Sequence, residues 1–354
     1  MAPVLRSRRT PGYSQPALFA GPINTTGLAA LPPELLLEIV NCFRSIRTPW
    51  AVTKNPLSRA QRDRQAIIRT LSQLCRSFRQ TLLPFVWRNI EVCTVKEETW
   101  AKRSAKFKSI DGARYATWQK ELAYDLINQL ETVTIRNPQY ATHVQNVCVI
   151  ITCFSLPTVL PEFAKCLSLL PNLKVLQLQC EVSGGALQKA FHGYEYKGIR
   201  TVVIPFSNAE ILRACPSVHW LHLTHASSRT PRPSDDRQKF KSVHKLTGIS
   251  KPFVLSSLVP KLPKLKHVQL IASGTYAQCT NCIEQLSKLL KLQTIEIRCS
   301  ADCRVSKEEL EELEKRARDV LKNLPVIQGV KRTVRLRPPT LRTSNAGGVE
   351  PVGG

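Results

Sequence analysis

The sequence predicts a mixed α+β/α/β fold: a short helical segment near the N-terminus, then an irregular solenoid of strand–helix repeats. Three observations point there. Apolar residues recur at helical spacing through residues 31–90. Four later segments align without gaps: LSLLPNLKVLQL, LRACPSVHWLHL, VPKLPKLKHVQL and LSKLLKLQTIEI. The apolar strands that end them, with weaker copies between, recur at a nearly regular interval. Hydrophobic residues at 43% and charged residues at 22% are globular values, and 354 residues suffice for one large or two ordinary domains.

Residues 1–28 are rich in Pro, Ser and Arg without an apolar period, which predicts a disordered tail. The helical segment opens with LPPELLLEIV. Pro32 and Pro33 suit the first helical positions, where a missing N–H is no loss, and Glu34 sits at the positive end of the helix dipole. Leu35, Leu36, Ile39, Val40 and Phe43 then make one broad apolar face. A second helical pattern carries Ile67, Ile68, Leu71, Leu74, Cys75 and Phe78, with Arg69, Arg76 and Arg79 facing away and Pro84 expected to break it. Two short helices with so many large apolar residues cannot cover them against each other, so a third surface is required.

This stretch resembles an F-box. Leu31-Pro32 matches that family's opening Leu-Pro, and Glu34-Leu35-Leu36 with Ile39 matches its first helix. Leu74-Cys75-Arg76-Ser77-Phe78-Arg79 matches its later Val-Cys-Arg-Arg-Trp-Arg run, with Leu and Phe where Val and Trp are commoner, and Trp87 stands where the family closes on an apolar-aromatic pair. Residues 45–66 depart from the pattern, being longer and more basic than the family's usual connection. The style of the motif is similar to that of F-box proteins of filamentous fungi. The resemblance implies that Leu31, Pro32, Leu35, Leu36, Ile39, Leu71, Leu74, Cys75 and Phe78 form a surface for a Skp-type adaptor.

After Trp87, Ile90 and Val92 read as a first strand, and Trp118, Leu122, Leu126, Ile127 and Leu130 as the buried face of a long helix. The strand ends that follow fall at 149, 178, 204, 223, 248, 270 and 297, at intervals of 19 to 29 residues, close to the period of leucine-rich repeats. One such unit cannot bury its own apolar strand face, so stacking neighbours is the expected solution. Leu176, Leu178, Leu221, Leu223, Val268, Leu270, Ile295 and Ile297 are the expected core. The residues between them point the other way, so Gln177, Val203, His222, Gln269 and Glu296, flanked by Trp220, Thr224, His267 and Arg298, are the expected substrate-binding column. Ser227–Gln238 reads as an exposed loop. Ser306 with Glu309 forms a capping box that opens a terminal helix buried along Leu310, Leu313, Ala317, Val320 and Leu324. The domain reading is thus a tail over 1–28, an F-box over 29–92, a leucine-rich-repeat-like domain over 93–328 and a basic disordered tail over 329–354.

Charge and motifs narrow the function. The net charge of +25 suggests an acidic partner surface, nucleic acid or an anionic membrane, and charge alone does not choose among them. No apolar run reaches the ~20 residues of a membrane span, and no signal peptide is recognisable, so a cytoplasmic or nuclear location is expected. The sequence contains no phosphate-cradling glycine loop, no G-x-S-x-G and no H-E-x-x-H, so no catalytic residues and no cofactor are expected. Cys279-x2-Cys282 and Cys299-x3-Cys303 have spacings that suit zinc, but Cys299 ends a strand and Cys282 begins a helix, both positions for small buried residues. No metal is expected there. His219, His222 and His225 lie three apart on a strand, where they face alternate ways, and read as surface residues.

F-box proteins with leucine-rich repeats are substrate receptors of SCF-type cullin–RING ubiquitin ligases. The resemblance therefore implies a non-catalytic subunit with a Skp-type adaptor, a cullin scaffold and a protein substrate as partners. A basic nucleic-acid-binding protein and a ligase-independent scaffold are the alternatives; nucleic acid and membrane are not the expected partners.

Overall fold

The computed structural model describes residues 31–42, 59–92, 112–180, 184–224, 240–273, 275–300, 303, 305–326 and 331–337. The chain divides into two compact units, Met1–Asp236 and Arg237–Gly354. The N-terminal tail, the loop Ser227–Gln238 and most of the 45–66 connection lie outside the described residues.

The first unit begins with three helices, α1 (Pro33–Cys42), α2 (Arg59–Leu74) and α3 (Arg76–Trp87). Leu36, Val40, Ile68, Phe78, Leu82 and Val86 from all three bury one another, and Leu31, Leu71, Cys75, Phe85 and Trp87 pack around them. The helix break comes at Cys75, whose extended backbone (φ −153°, ψ 169°) separates α2 from α3, while Pro84 lies inside α3. Proline in a helix interior costs about 3 kcal/mol. Burying Leu82 and Val86 on either side of it contributes about 1.5–3 kcal/mol each, which outweighs that cost.

The strands β1 (Asn89–Val92), β2 (Asn146–Ile151), β3 (Val175–Cys180), β4 (Thr201–Pro205) and β5 (Trp220–Thr224) follow, each parallel to its predecessor in chain order. Between them run α4 (Gly112–Glu131), α5 (Leu156–Ser168), α6 (Gly184–Phe191) and a 3-10 segment, Phe206–Ala214. Along α4, Leu122, Leu126, Ile127 and Leu130 are buried at helical spacing. In the second unit β6 (Lys245–Ile249), β7 (His267–Ala272), β8 (Thr294–Cys299) and β9 (Thr333–Arg337) are likewise parallel in chain order, alternating with α7 (Pro252–Leu258), α8 (Tyr276–Leu286) and α9 (Lys307–Asn323). Parallel crossovers are right-handed almost without exception, so strands laid down in unbroken order send their connections to the same face. That face carries the buried residues, such as Val147, Val149, Leu176, Leu178, Leu221, Leu223, Val268, Leu270, Ile295 and Ile297.

This architecture corrects the expected fold. Each unit is α/β, a parallel sheet whose strands alternate with helices, rather than an N-terminal helical F-box followed by a leucine-rich-repeat solenoid. The N-terminal helices run straight into the sheet. Trp87 at the end of α3 stacks on Tyr140 with ring centroids 5.7 Å apart, and Asn146 Nδ2 donates to Asn89 Oδ1 at 2.7 Å across the β1–β2 ladder. The repeat-like spacing has a plainer cause. A strand buried on one face, a turn, a helix and a return turn need roughly that many residues in any parallel sheet, because parallel strands require a crossover. The helices in the connections differ in length and type, from the 20 residues of α4 to the seven of α7, and the segment before β5 is 3-10 rather than α.

Two local features fix the details. Gly198, ahead of β4, leaves no room for a side chain: a Cβ there would stand 2.8 Å from the Leu173 carbonyl oxygen. The capping box of α9 forms as its sequence indicates, with Glu309 N donating to Ser306 Oγ and Ser306 N donating to Glu309 Oε2. Among the described residues, no helix is long and apolar enough to cross a membrane.

Candidate functional site

The N-terminal helices divide the expected adaptor residues into two sets. Leu36 and Phe78 are 3% and 1% exposed and spend their side chains on the internal cluster. Leu31, Ile39, Leu71 and Cys75 are half-buried, and Pro32 is exposed. Leu35 and Leu74 remain 49% and 62% exposed. The apolar surface still open to a partner is therefore carried by Leu35 and Leu74, with the half-buried residues beside the cluster supporting it.

On the sheet face away from the buried apolar residues, register brings the expected column together within each unit. In the first unit Gln177 pairs with Val203 and Val203 with His222, while Pro205 pairs with Thr224. Gln177 and Val203 are 3% and 0% exposed, so neither offers its side chain to a ligand. Trp220, His222 and Thr224 are half-buried. His219 is exposed, with its Nε2 3.3 Å from Arg200 Nη1, and His225 lies outside the described residues.

The second unit is more open. Gln269 is in register with Glu296, and its Nε2 donates to Glu296 Oε1 at 2.8 Å. His267 and Arg298 are exposed. Strand β9 adds two side chains that the sequence reading assigned to a basic tail: Arg335 is opposite Glu296, and Arg337 is opposite Arg298. Arg337 Nε donates to Glu296 Oε1 at 2.8 Å, yet its side chain is 61% exposed. The signal for β9 was present in TVRLR, where Val334 and Leu336 alternate with Arg335 and Arg337 at the period of a strand. The Pro- and Gly-rich surroundings masked it.

This is a cationic neighbourhood. The His267 imidazole is held below its ordinary pKa, first by partial burial and then by Lys245, Lys266, Arg335 and His244. Each of these disfavours adding a positive charge to the ring.

The cysteines are placed differently. Cys282 and Cys299 are buried and Cys279 and Cys303 half-buried. Burial pushes the Cys282 thiol up to about 12 and also raises Cys299, next to Cys303. Among the described residues, no group of three or more His, Cys, Asp or Glu side chains is placed to hold a metal ion.

Fold and surfaces together define a parallel α/β protein with exposed leucines on its N-terminal helices and a polar, cationic sheet face in its second unit. Compared with known proteins, the chain matches no family model, and no curated protein matches it significantly.

Proposed function

We propose that this chain is the substrate-recognition subunit of an SCF-type cullin–RING ubiquitin ligase. It docks the Skp-type adaptor on its N-terminal helices and holds a target protein on its exposed sheet face. The observation that carries the reading is the exposure of Leu35 and Leu74, at 49% and 62%, on the helices that form the apolar cluster. A partner that covered both leucines would remove large apolar side chains from water next to that core. The resemblance of residues 31–90 to an F-box supports an adaptor as its occupant. The chain then acts by proximity, bringing a target lysine near a charged ubiquitin carrier.

The test is co-purification with recombinant Skp-type adaptor. Covering an exposed leucine contributes about 1.5–3 kcal/mol, so Leu35→Asp with Leu74→Asp weakens the complex by at least about a hundredfold and removes the adaptor from a pull-down. Leu169→Asp, at a similarly exposed position after α5, leaves it bound. Absence of adaptor from the parent complex, or its retention by the double variant, overturns the proposal.

A further inference from the structure

The sheet face of the second unit has a chemistry of its own. Arg298, Arg335 and Arg337 lie on two neighbouring strands with their side chains on the face opposite the buried residues Ile295 and Ile297. Neighbouring strands are about 4.8 Å apart, and residues two apart along a strand about 6.6 Å. Three guanidinium groups therefore share a patch one short peptide can cover. His267 extends it onto β7, and hydroxyls enter it from β8 and β9, with Thr294 Oγ1 3.4 Å from Thr333 Oγ1.

One carboxylate already sits in this patch. Glu296 Oε1 accepts from both Arg337 Nε and Gln269 Nε2 at 2.8 Å. It shows the chemistry the patch selects: a carboxylate held by a guanidinium and an amide.

We propose that this face binds an acidic peptide segment, lying along β8 and β9 with its carboxylates on Arg298, Arg335 and Arg337. The assignment rests on the reading of the sheet face as the target-holding surface and names the class of target. An extended peptide repeats its side chains on one side at the same ~6.6 Å as a strand, so acids two residues apart match Arg335 and Arg337. Nucleic acid fits less well. Glu296 stands where a phosphate chain would pass, and no Phe, Tyr or Trp stands on the outward positions of β7, β8 and β9 to stack a base.

The experiment uses the full chain and fluorescence anisotropy with three labelled probes: a short Asp- and Glu-rich peptide, its Asn- and Gln-substituted counterpart, and a short single-stranded RNA. The acidic peptide binds and the neutral one does not. Arg298→Glu with Arg335→Glu weakens binding by about tenfold or more, the effect of reversing two exposed charge contacts. Lys165→Glu with Lys189→Glu, an equal charge change on α5 and α6 of the first unit, alters it by less than about twofold. Glu296→Gln removes the resident carboxylate, frees Arg337 and tightens binding by about threefold; a purely structural role for Glu296 predicts no gain. In an NMR titration the pKa of His267 rises when peptide is bound, because the acids offset the cations around it.

Melting curves establish that each variant is folded; should the double reversal unfold, Arg335→Gln and Glu296→Gln carry the test. No peptide binding, equal loss in the control pair, or tighter binding of RNA lost in the same Arg variants overturns the proposal. The ligase reading fails separately: peptide binding by a chain that captures no adaptor overturns that reading and leaves this one standing.

Discussion

Strand β9 reaches its place through Arg332, and breaking that attachment is the sharpest test of how the basic face is built. The Arg332 guanidinium donates to the Leu321 and Leu324 carbonyls at 2.8 and 2.9 Å, and to the Pro325 carbonyl. These carbonyls belong to the last turn of α9 and the residues just after it, where no intrahelical donor remains and the helix dipole favours a cation. The first two bonds are partly buried and the third is exposed. Hydrogen bonds to a charged group contribute about 1.5–3 kcal/mol each where water is excluded, and much less in the open. Discounting for exposure, Arg332→Ala removes about 3 kcal/mol from the docking of β9, and Arg332→Lys, which cannot fork, recovers less than half. Local opening of β9 then becomes about a hundredfold more frequent. The assay is amide hydrogen exchange, read at Thr333, whose N–H donates to the Gln293 carbonyl at 3.0 Å, with acidic-peptide binding measured in parallel. Protection of the Thr333 amide and affinity for the acidic peptide fall together if β9 is anchored as described. Unchanged exchange at Thr333 in Arg332→Ala refutes the reasoning, because the guanidinium is then dispensable to the strand.

Two further outcomes follow from packing and burial. Gly198→Ala places a Cβ 2.8 Å from the fixed Leu173 carbonyl oxygen, and chemical denaturation of that variant shows a loss of about 1–3 kcal/mol; a loss below about 0.5 kcal/mol means that the backbone yields freely. Burial holds the Cys215 and Cys282 thiols up to about 12, against about 8.5 in an unfolded chain. Their protonated state thus supports the fold fully below about pH 8.5, and that support is lost progressively as pH climbs toward 12. Urea midpoints measured from pH 8 to 11 decline accordingly, and Cys215→Ala makes the decline shallower; a decline of unchanged slope removes Cys215 as a contributor.

Much of the secondary structure was legible because period and burial agree. The strand ends expected at 149, 178, 204, 223, 248, 270 and 297 all fall inside β2 to β8, since an apolar residue at every second position has one face to hide. The larger architecture was not legible. A βα unit and a leucine-rich repeat ask the same pattern of one strand, and spacing of 19 to 29 residues does not tell them apart. Pro84 misled for a related reason: the propensity of one residue was outweighed by burial of Leu82 and Val86, while the actual break at Cys75 carries no sequence mark. The outward column was legible as a register and not as a surface. Alternation places Gln177 and Val203 on the far side of the strand, but only the folded chain shows them 3% and 0% exposed.

A net charge of +25 favours an anionic partner without saying where it binds; strand order and register are what the proposed place is argued from. In each unit the described strands follow one another without reversal, and parallel sheets usually bind small ligands in the crevice opened by such a reversal. The proposed recognition of an acidic peptide uses the broad sheet face instead. In the first unit the centre of that face is closed at Gln177 and Val203, with half-buried Trp220 and His222 beyond them. In the second, Arg298 and Arg335 stand open and Arg337 is held by a carboxylate that a ligand's acid can replace. Exchange of one carboxylate for another changes no net charge at Arg337, so its cost in desolvation is small, whereas Arg298 and Arg335 each gain a partner. Binding energy consequently concentrates on those two residues, and Arg337 serves mainly to set the register of the peptide against the strand.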